Sequence, residues 1–139
     1  MYTIQDKLSA DVKNYAHHRK MMDEMGKRID REARELLSEL QKVKGWECMI
    51  KECEEHYAKY PDKFFDWCCV THTDDSVRFV KGYSDGEEYV VLEISFRKSL
   101  KDQVRDRMDY LEEQREKEAT EERERDLRQL ERIRKKYGL

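Results

Sequence analysis

Two Cys-x-x-His motifs hold the side chains best suited to bind a metal. Cys53 with His56 and Cys69 with His72 offer two thiolates and two imidazoles, a set that zinc accepts in tetrahedral sites. Residues three apart share a face on a helix, so the first pair could chelate, but on a strand they point to opposite faces, which separates the second pair. A zinc site is therefore the alternative interpretation of these residues. The expected role of all four cysteines is as small core residues, with no cofactor.

No other motif indicates catalysis. The stretch Thr71-His72-Thr73 contains a single His-x-Thr, whereas two-histidine phosphoesterases need two such motifs facing each other. The sequence has no glycine-rich phosphate loop, no serine in a nucleophile turn and no His-Glu-x-x-His. We therefore predict that the chain is not an enzyme.

Charge dominates the composition and is unevenly distributed. Charged residues make up 44% of the 139 residues, yet the net charge is only −3, so there is no overall cationic field to drive non-specific binding to nucleic acid. Residues 46–75 hold three basic and eight acidic side chains, a local net charge of −5. This acidic segment favours a basic partner surface over phosphate.

The N-terminal part predicts one long helix. Residues 5–44 lack proline, and apolar side chains recur at alternating spacings of four and three, which is typical of a helix with one narrow seam. We expect this seam either to pack on the protein's own sheet or C-terminal helix, or to pair with a second copy in a coiled coil. Its predicted members are Leu8, Val12, Tyr15, Met22, Ile29, Leu36 and Leu40.

The middle of the chain predicts a short helix and a sheet. A helical pattern over residues 46–60 ends at the only proline. Alternating, aromatic-rich stretches then predict strands over 63–73, 77–83 and 88–96, with an Asp-Gly turn before the last strand. Short connections between successive strands favour an antiparallel meander.

A second long helix is predicted to run from Ser99 nearly to the end of the chain. Glu-to-basic pairs four residues apart, such as Glu113–Lys117 and Glu121–Arg125, can keep residues 112–126 helical in water. Beyond them lies an apolar stripe that needs a partner: Leu127, Leu130, Ile133 and Tyr137.

These elements predict an α+β fold in which a three-stranded antiparallel β-meander is flanked by a long N-terminal helix, a short second helix and a long C-terminal helix. Residues 1–111 would form the core with the first helix, and residues 112–139 a charged extension of the last helix, within a single domain.

Aromatic and basic side chains near the sheet are the candidates for binding a partner or ligand. Such residues can stack on single-stranded nucleic acid or line a pocket for a small anionic molecule. The acidic segment would repel phosphate, so we favour a protein partner over direct binding of nucleic acid. A small-molecule ligand is a further possibility. The candidates are Trp46, Tyr57, Tyr60, Trp67, Arg78, Lys81 and Tyr83.

The layout resembles that of small phage-encoded inhibitors of bacterial defence, in particular anti-CRISPR inhibitors of Cas9. The likeness covers roughly residues 36–111 and concerns the order of elements. It implies a protein that docks on a larger host protein, and it carries over no functional residue. The residues on which it rests are Gly45-Trp46, Asp85-Gly86, Tyr89-Val90-Val91-Leu92-Glu93-Ile94 and Lys98.

The N-terminus has no apolar signal-peptide region, and no apolar run approaches the roughly 20 residues of a membrane span. We therefore expect a cytoplasmic protein, in the host cytoplasm if phage-encoded, with no membrane partner. The predicted function is non-enzymatic binding by a small inhibitor or adaptor that acts on a larger defence or nucleic-acid-handling protein and forms a homo-oligomer through its helices. The alternatives are a protein that sequesters a nucleotide-like signal and a structural coiled-coil assembly protein.

Overall fold

A computed structural model describes residues 3–51, 53–82 and 86–139 of the chain. It contains three α-helices and one three-stranded antiparallel sheet with the strand order β1-β2-β3, so the predicted α+β class is confirmed. The helices are α1 (Ile4–Leu40), α2 (Glu54–Lys59) and α3 (Leu100–Tyr137), and the strands are β1 (Cys69–His72), β2 (Ser76–Gly82) and β3 (Glu88–Ser95). Two residues of the predicted hairpin turn, Ser84 and Asp85, lie outside the described residues.

Helix α1 is anchored to the core only by its last turns. A capping box opens it, because the Thr3 hydroxyl accepts from the Asp6 N–H while the Asp6 carboxylate accepts from the Thr3 N–H. Its buried residues are Ala33, Leu37 and Leu40. Residues 4–28 are exposed apart from Ala10, and at about 1.5 Å per residue they form an arm of roughly 37 Å.

The seam predicted on this helix therefore packs within the chain at one end only. Leu40 is fully buried and Leu36 packs against the core, with Ile29 half-buried. The other four predicted members are between 57% and 74% exposed, so the first alternative, packing within the chain, does not hold for them. They are Leu8, Val12, Tyr15 and Met22.

The core lies between the sheet, the end of α1 and the beginning of α3. Phe79 of the central strand pairs with Val70 on one side and Leu92 on the other, and no part of its surface reaches solvent. A bulge beside Phe79 shifts the register, so that Val80 pairs with Val90 and Val91 becomes the extra residue of β3. The largest fully buried side chains are Phe64, Phe79, Leu40, Leu92, Ile94 and Val91.

The prediction of a single helix over residues 46–60 is wrong. A 3₁₀ helix occupies Trp46–Met49, Ile50 is extended, and the Lys51 N–H donates to the Val91 carbonyl at 2.7 Å. Cys53 then adopts a left-handed conformation with φ of 60° before α2 begins. The chain leaves the helix because Ile50 is buried and its neighbour bonds to the sheet.

The first predicted strand is much shorter than expected. Residues 63–68 form turns and a 3₁₀ helix, and only Cys69–His72 pairs with β2. Phe64 and Phe65 are both buried, whereas consecutive residues of a strand point to opposite faces. The tighter turn allows both rings to enter one core.

Helix α3 packs on the fold through its first turns. The Ser99 hydroxyl caps it by accepting from the Asp102 N–H, and Gln103 accepts from the Ser95 N–H and donates to the Ser95 carbonyl. From residue 112 onward every residue except Gln114 is exposed. Within the described part of the chain, no helix is both long enough and apolar enough to cross a membrane.

Gly45 offers a test of how α1 is joined to the core. Its φ is +85°, and a Cβ there would lie 2.7 Å from the Met108 Cε, the movable end of a side chain. We expect Gly45→Ala to lower the free energy of unfolding by about 1–2 kcal/mol, mainly through the left-handed backbone. The control is Gly26→Ala, because a Cβ at Gly26 would meet nothing within 4 Å. The urea midpoint of this variant should equal or exceed that of the wild type. Equal losses in both variants would contradict this description of Gly45.

Candidate functional site

The candidate binding residues separate into a buried set and an exposed set. Trp46 is buried, and Tyr57 packs edge-on against it with ring centroids 5.5 Å apart. Tyr57 also contacts Phe64 and Phe65. Burial, followed by the charges of Glu47 and Asp62, raises the pKa of the Tyr57 hydroxyl. Trp46 and Tyr57 therefore belong to the core rather than to a binding surface.

Tyr60 and Trp67 form an exposed pair beside Lys81, and we call these three residues the aromatic patch. The two rings meet edge-on at 5.5 Å and are 42% and 50% exposed. The Lys81 ammonium lies 5.2 Å from the centre of the Trp67 ring and 5.0 Å from that of Phe64. This cation–π geometry orients the indole without covering it.

Arg34 of α1 holds the segment that carries Trp67. Its guanidinium donates to the Phe65 carbonyl at 3.0 Å and to the Cys68 carbonyl at 3.1 Å, while its Nε pairs with Asp30 at 3.1 Å. One planar group therefore bonds to the backbone on both sides of the tryptophan. The sequence prediction did not include Arg34, since its only local signal was the acidic residue four positions earlier.

The surroundings of the aromatic patch are acidic. All described carboxylates of residues 46–75 are exposed, and two of them, Asp62 and Asp66, lie in the same turn segment as the aromatic pair. Asp75, farther along, is paired with Arg97 at 2.7 Å. The acidic segment predicted from the sequence is therefore a surface feature, and the aromatic pair lies within it.

Arg78 does not join the aromatic patch. Arg78 alternates with Val77 and Phe79, which places it on the opposite face of the sheet, and its Nε pairs with the Glu93 carboxylate of β3 at 2.7 Å. Tyr83 lies outside the described residues.

The residues of the two Cys-x-x-His motifs are not assembled into a metal site. Cys53 and His56 are at the start of α2, and Cys69 and His72 are at the two ends of β1, three positions apart on a strand. Among residues 3–51, 53–82 and 86–139, no group of three or more His, Cys, Asp or Glu side chains is placed to hold a metal ion.

Two grooves lie away from the aromatic patch. A polar groove of about 300 Å³ between β3 and α3 includes Lys98, Arg107 and Tyr110, but Lys98 pairs with Asp106 at 2.9 Å and Arg107 donates to the Cys48 carbonyl. An apolar groove of about 330 Å³ lies between α1 and the sheet beside Phe96. None of the predicted ligand-binding residues that the structure describes lines either groove.

The adjacent thiols of Cys68 and Cys69 should differ in reactivity. Cys68 is buried, which raises the pKa of its thiol to about 11, whereas Cys69 is exposed. Only the thiolate reacts, and at pH 8 a pKa of about 11 leaves roughly one thiol in a thousand ionised. We expect iodoacetamide to modify Cys69 quickly and Cys68 only after unfolding. Mass spectrometry of Cys69→Ser and Cys68→Ser tests this, and fast modification of Cys68 in the folded chain would contradict its burial.

Comparison with protein-family models, with curated proteins and with solved structures finds no match to this chain.

Proposed function

We propose that this chain is a non-enzymatic binding protein, a small adaptor or inhibitor of the phage-encoded type, that docks on a larger protein through the aromatic patch. The observation that carries the proposal is the exposed Tyr60–Trp67 pair, held in place by Arg34 and Lys81 within an acidic surface. The layout resemblance to inhibitors of bacterial defence supports the same class of function.

Tyrosine and tryptophan are the side chains that most often dominate protein interfaces. Each offers a large apolar area with few rotatable bonds, so little conformational entropy is lost on binding. A Trp67 side chain that is half-exposed in the unbound chain can still bury a large area against a partner. Its backbone is already held by Arg34, which lowers the cost of ordering it.

The acidic surface around the pair selects the chemistry of the partner. Carboxylates such as Asp62 and Asp66 attract a basic protein surface and repel phosphate. We therefore propose a protein partner with a basic patch, such as one that itself handles nucleic acid, and we disfavour direct binding of nucleic acid. The proposed place of action is the cytoplasm.

Affinity capture from host lysate with three versions of the chain tests the proposal. Wild type is compared with Trp67→Ala and with Tyr110→Ala, a matched control because Tyr110 is 49% exposed on α3, away from the aromatic patch. We expect a basic protein that is retained by wild type and by Tyr110→Ala and lost with Trp67→Ala, because removal of a hot-spot tryptophan costs 100-fold or more in affinity, about 3 kcal/mol.

Salt provides the second arm of this test. Affinity for the captured protein should fall as the ionic strength rises from about 0.05 M to about 0.5 M, because screening shortens the reach of the carboxylates. Equal capture by Trp67→Ala and Tyr110→Ala, or affinity that does not change with salt, would overturn the proposal.

A further inference from the structure

The outer half of α3 presents an apolar stripe to solvent. Leu127, Leu130, Ile133 and Tyr137 are between 43% and 65% exposed. A helix that stands away from its core normally carries only polar side chains, so a stripe of this kind indicates a surface that is covered in the working protein.

The charges of α3 are separated along its length. Residues 109–122 hold seven acidic and two basic side chains, a net charge of −5, and residues 123–137 hold seven basic and three acidic ones, a net charge of +4. A parallel pair of such helices would place like charges together. An antiparallel pair places the acidic half of each helix on the basic half of the other.

We propose that α3 pairs antiparallel with α3 of a second copy of this chain, with Arg115 opposite Asp126 of the partner subunit. In this register Arg115, Glu116 and Glu118 come opposite residues 126, 125 and 123 of the partner subunit, each of the opposite charge. Lys117 points away from the partner, on the outer side of the helix. Two-fold symmetry repeats each pairing at the other end of the interface. The proposal goes beyond the function above, because it concerns a different surface and a different partner.

The same register brings apolar side chains together at both ends. Met108 comes opposite Ile133 of the partner subunit, and Leu111 comes opposite Leu130 of the partner subunit. Met108, Ala119 and Leu130 are spaced by eleven residues, close to three full turns, so they follow one line along a nearly straight helix. Met108 is 45% exposed in the single chain, so part of its side chain is open to this contact while its Cε lies beside Gly45.

The exposed arm of α1 is a poorer cover for the stripe. Its residues 4–28 carry six basic and four acidic side chains, a net charge of +2. Against the +4 segment of α3 these charges repel, whereas the −5 segment of a second α3 attracts. Charge complementarity therefore favours a second copy of α3, rather than the arm of α1, as the surface that covers the stripe.

Sedimentation equilibrium of the full chain with charge-reversal variants tests the pairing. Wild type should give twice the monomer mass of 17.0 kDa. Arg115→Glu or Asp126→Arg alone places like charges together at two symmetric positions, and we expect the dimer Kd to rise roughly tenfold or more. The double variant restores both pairs with the signs exchanged, so its Kd should return close to the wild-type value.

Two controls make the result specific. Lys117→Glu is the same kind of reversal two positions along, roughly 200° around the helix and on its outer side, and should leave the Kd unchanged. Circular dichroism checks that each variant keeps its helix. A wild-type chain that stays monomeric throughout the concentration series, or a double variant no better than the single ones, would overturn the proposal.

The dimer and the docking function can fail separately. Trp67→Ala should leave the dimer intact, since Trp67 lies outside α3. A dimer without the captured protein would support the pairing of α3 alone, and capture by a monomer would support the docking surface alone.

Discussion

Replacement of Phe79 by alanine is expected to lower the free energy of unfolding by about 3–5 kcal/mol, which is typical of a buried phenylalanine. The ring is fully buried in the central strand, packs edge-on against Phe65 at 5.8 Å and pairs across the sheet with Val70 and Leu92. No neighbouring strand can close the space that its removal leaves. Urea denaturation followed by tryptophan fluorescence, to which the buried Trp46 contributes, measures the loss.

Phe96 supplies the matched control, because its ring is 57% exposed at the rim of the apolar groove beside α1. Phe96→Ala should cost less than about 1 kcal/mol. Because small domains are stable by only about 5–15 kcal/mol, Phe79→Ala should also populate unfolded chain at low urea. A Phe79→Ala variant as stable as Phe96→Ala would show that the sheet is not the centre of the core.

The second large effect is expected from Arg34→Met, which keeps the apolar stem and removes the guanidinium. In this variant the carbonyls of Phe65 and Cys68 each lose a hydrogen bond from a charged donor, of 3.0 and 3.1 Å. The segment between them is then no longer hydrogen-bonded to α1 through Arg34. We expect a loss of about 2–3 kcal/mol in the free energy of unfolding, measured by the same urea denaturation. The single ammonium group of lysine cannot donate to both carbonyls as the planar guanidinium does. Arg34→Lys should therefore recover little of the stability.

The control for this variant is Arg31→Met, since Arg31 is exposed on the same helix. Its effect should stay within about 0.5 kcal/mol. If the two methionine variants were equally stable, the bonds from Arg34 to residues 65–68 would not contribute to the fold.

The long elements could be predicted from the sequence because their signals are local. The Thr3–Asp6 capping box marks the start of α1, the Ser99 cap marks the start of α3, and i,i+4 charge pairs sustain α3 where nothing packs on it. The order of the strands follows from short connections. These features depend on residues within one or two turns of each other, and the structure contains them.

The middle of the chain could not be predicted in the same way, because distant contacts decide its conformation. The pattern over residues 46–60 is helical, yet the chain is extended at Ile50, where the Lys51 N–H donates a hydrogen bond to the Val91 carbonyl. Bonds from Arg34 hold residues 65–68 in a turn despite their strand-like composition. Neither partner lies within thirty residues of the segment that it reshapes.

The candidate site was predicted by residue type and only partly by position. Trp67 and Tyr60 form the exposed pair, whereas Trp46 has the same chemistry and lies in the core. Local sequence does not distinguish them, because each tryptophan has a charged residue and a cysteine within two positions of it. Which tryptophan is buried depends on how the end of α1 and the sheet meet.

Hydrogen–deuterium exchange of the chain bound to its captured partner is the most direct test of the docking surface. We expect the strongest protection on binding at the amides of residues 60–68, around Tyr60 and Trp67, with α3 beyond residue 112 unchanged by the partner. Protection confined to the arm of α1 or to the outer half of α3, with residues 60–68 unchanged, would contradict the account.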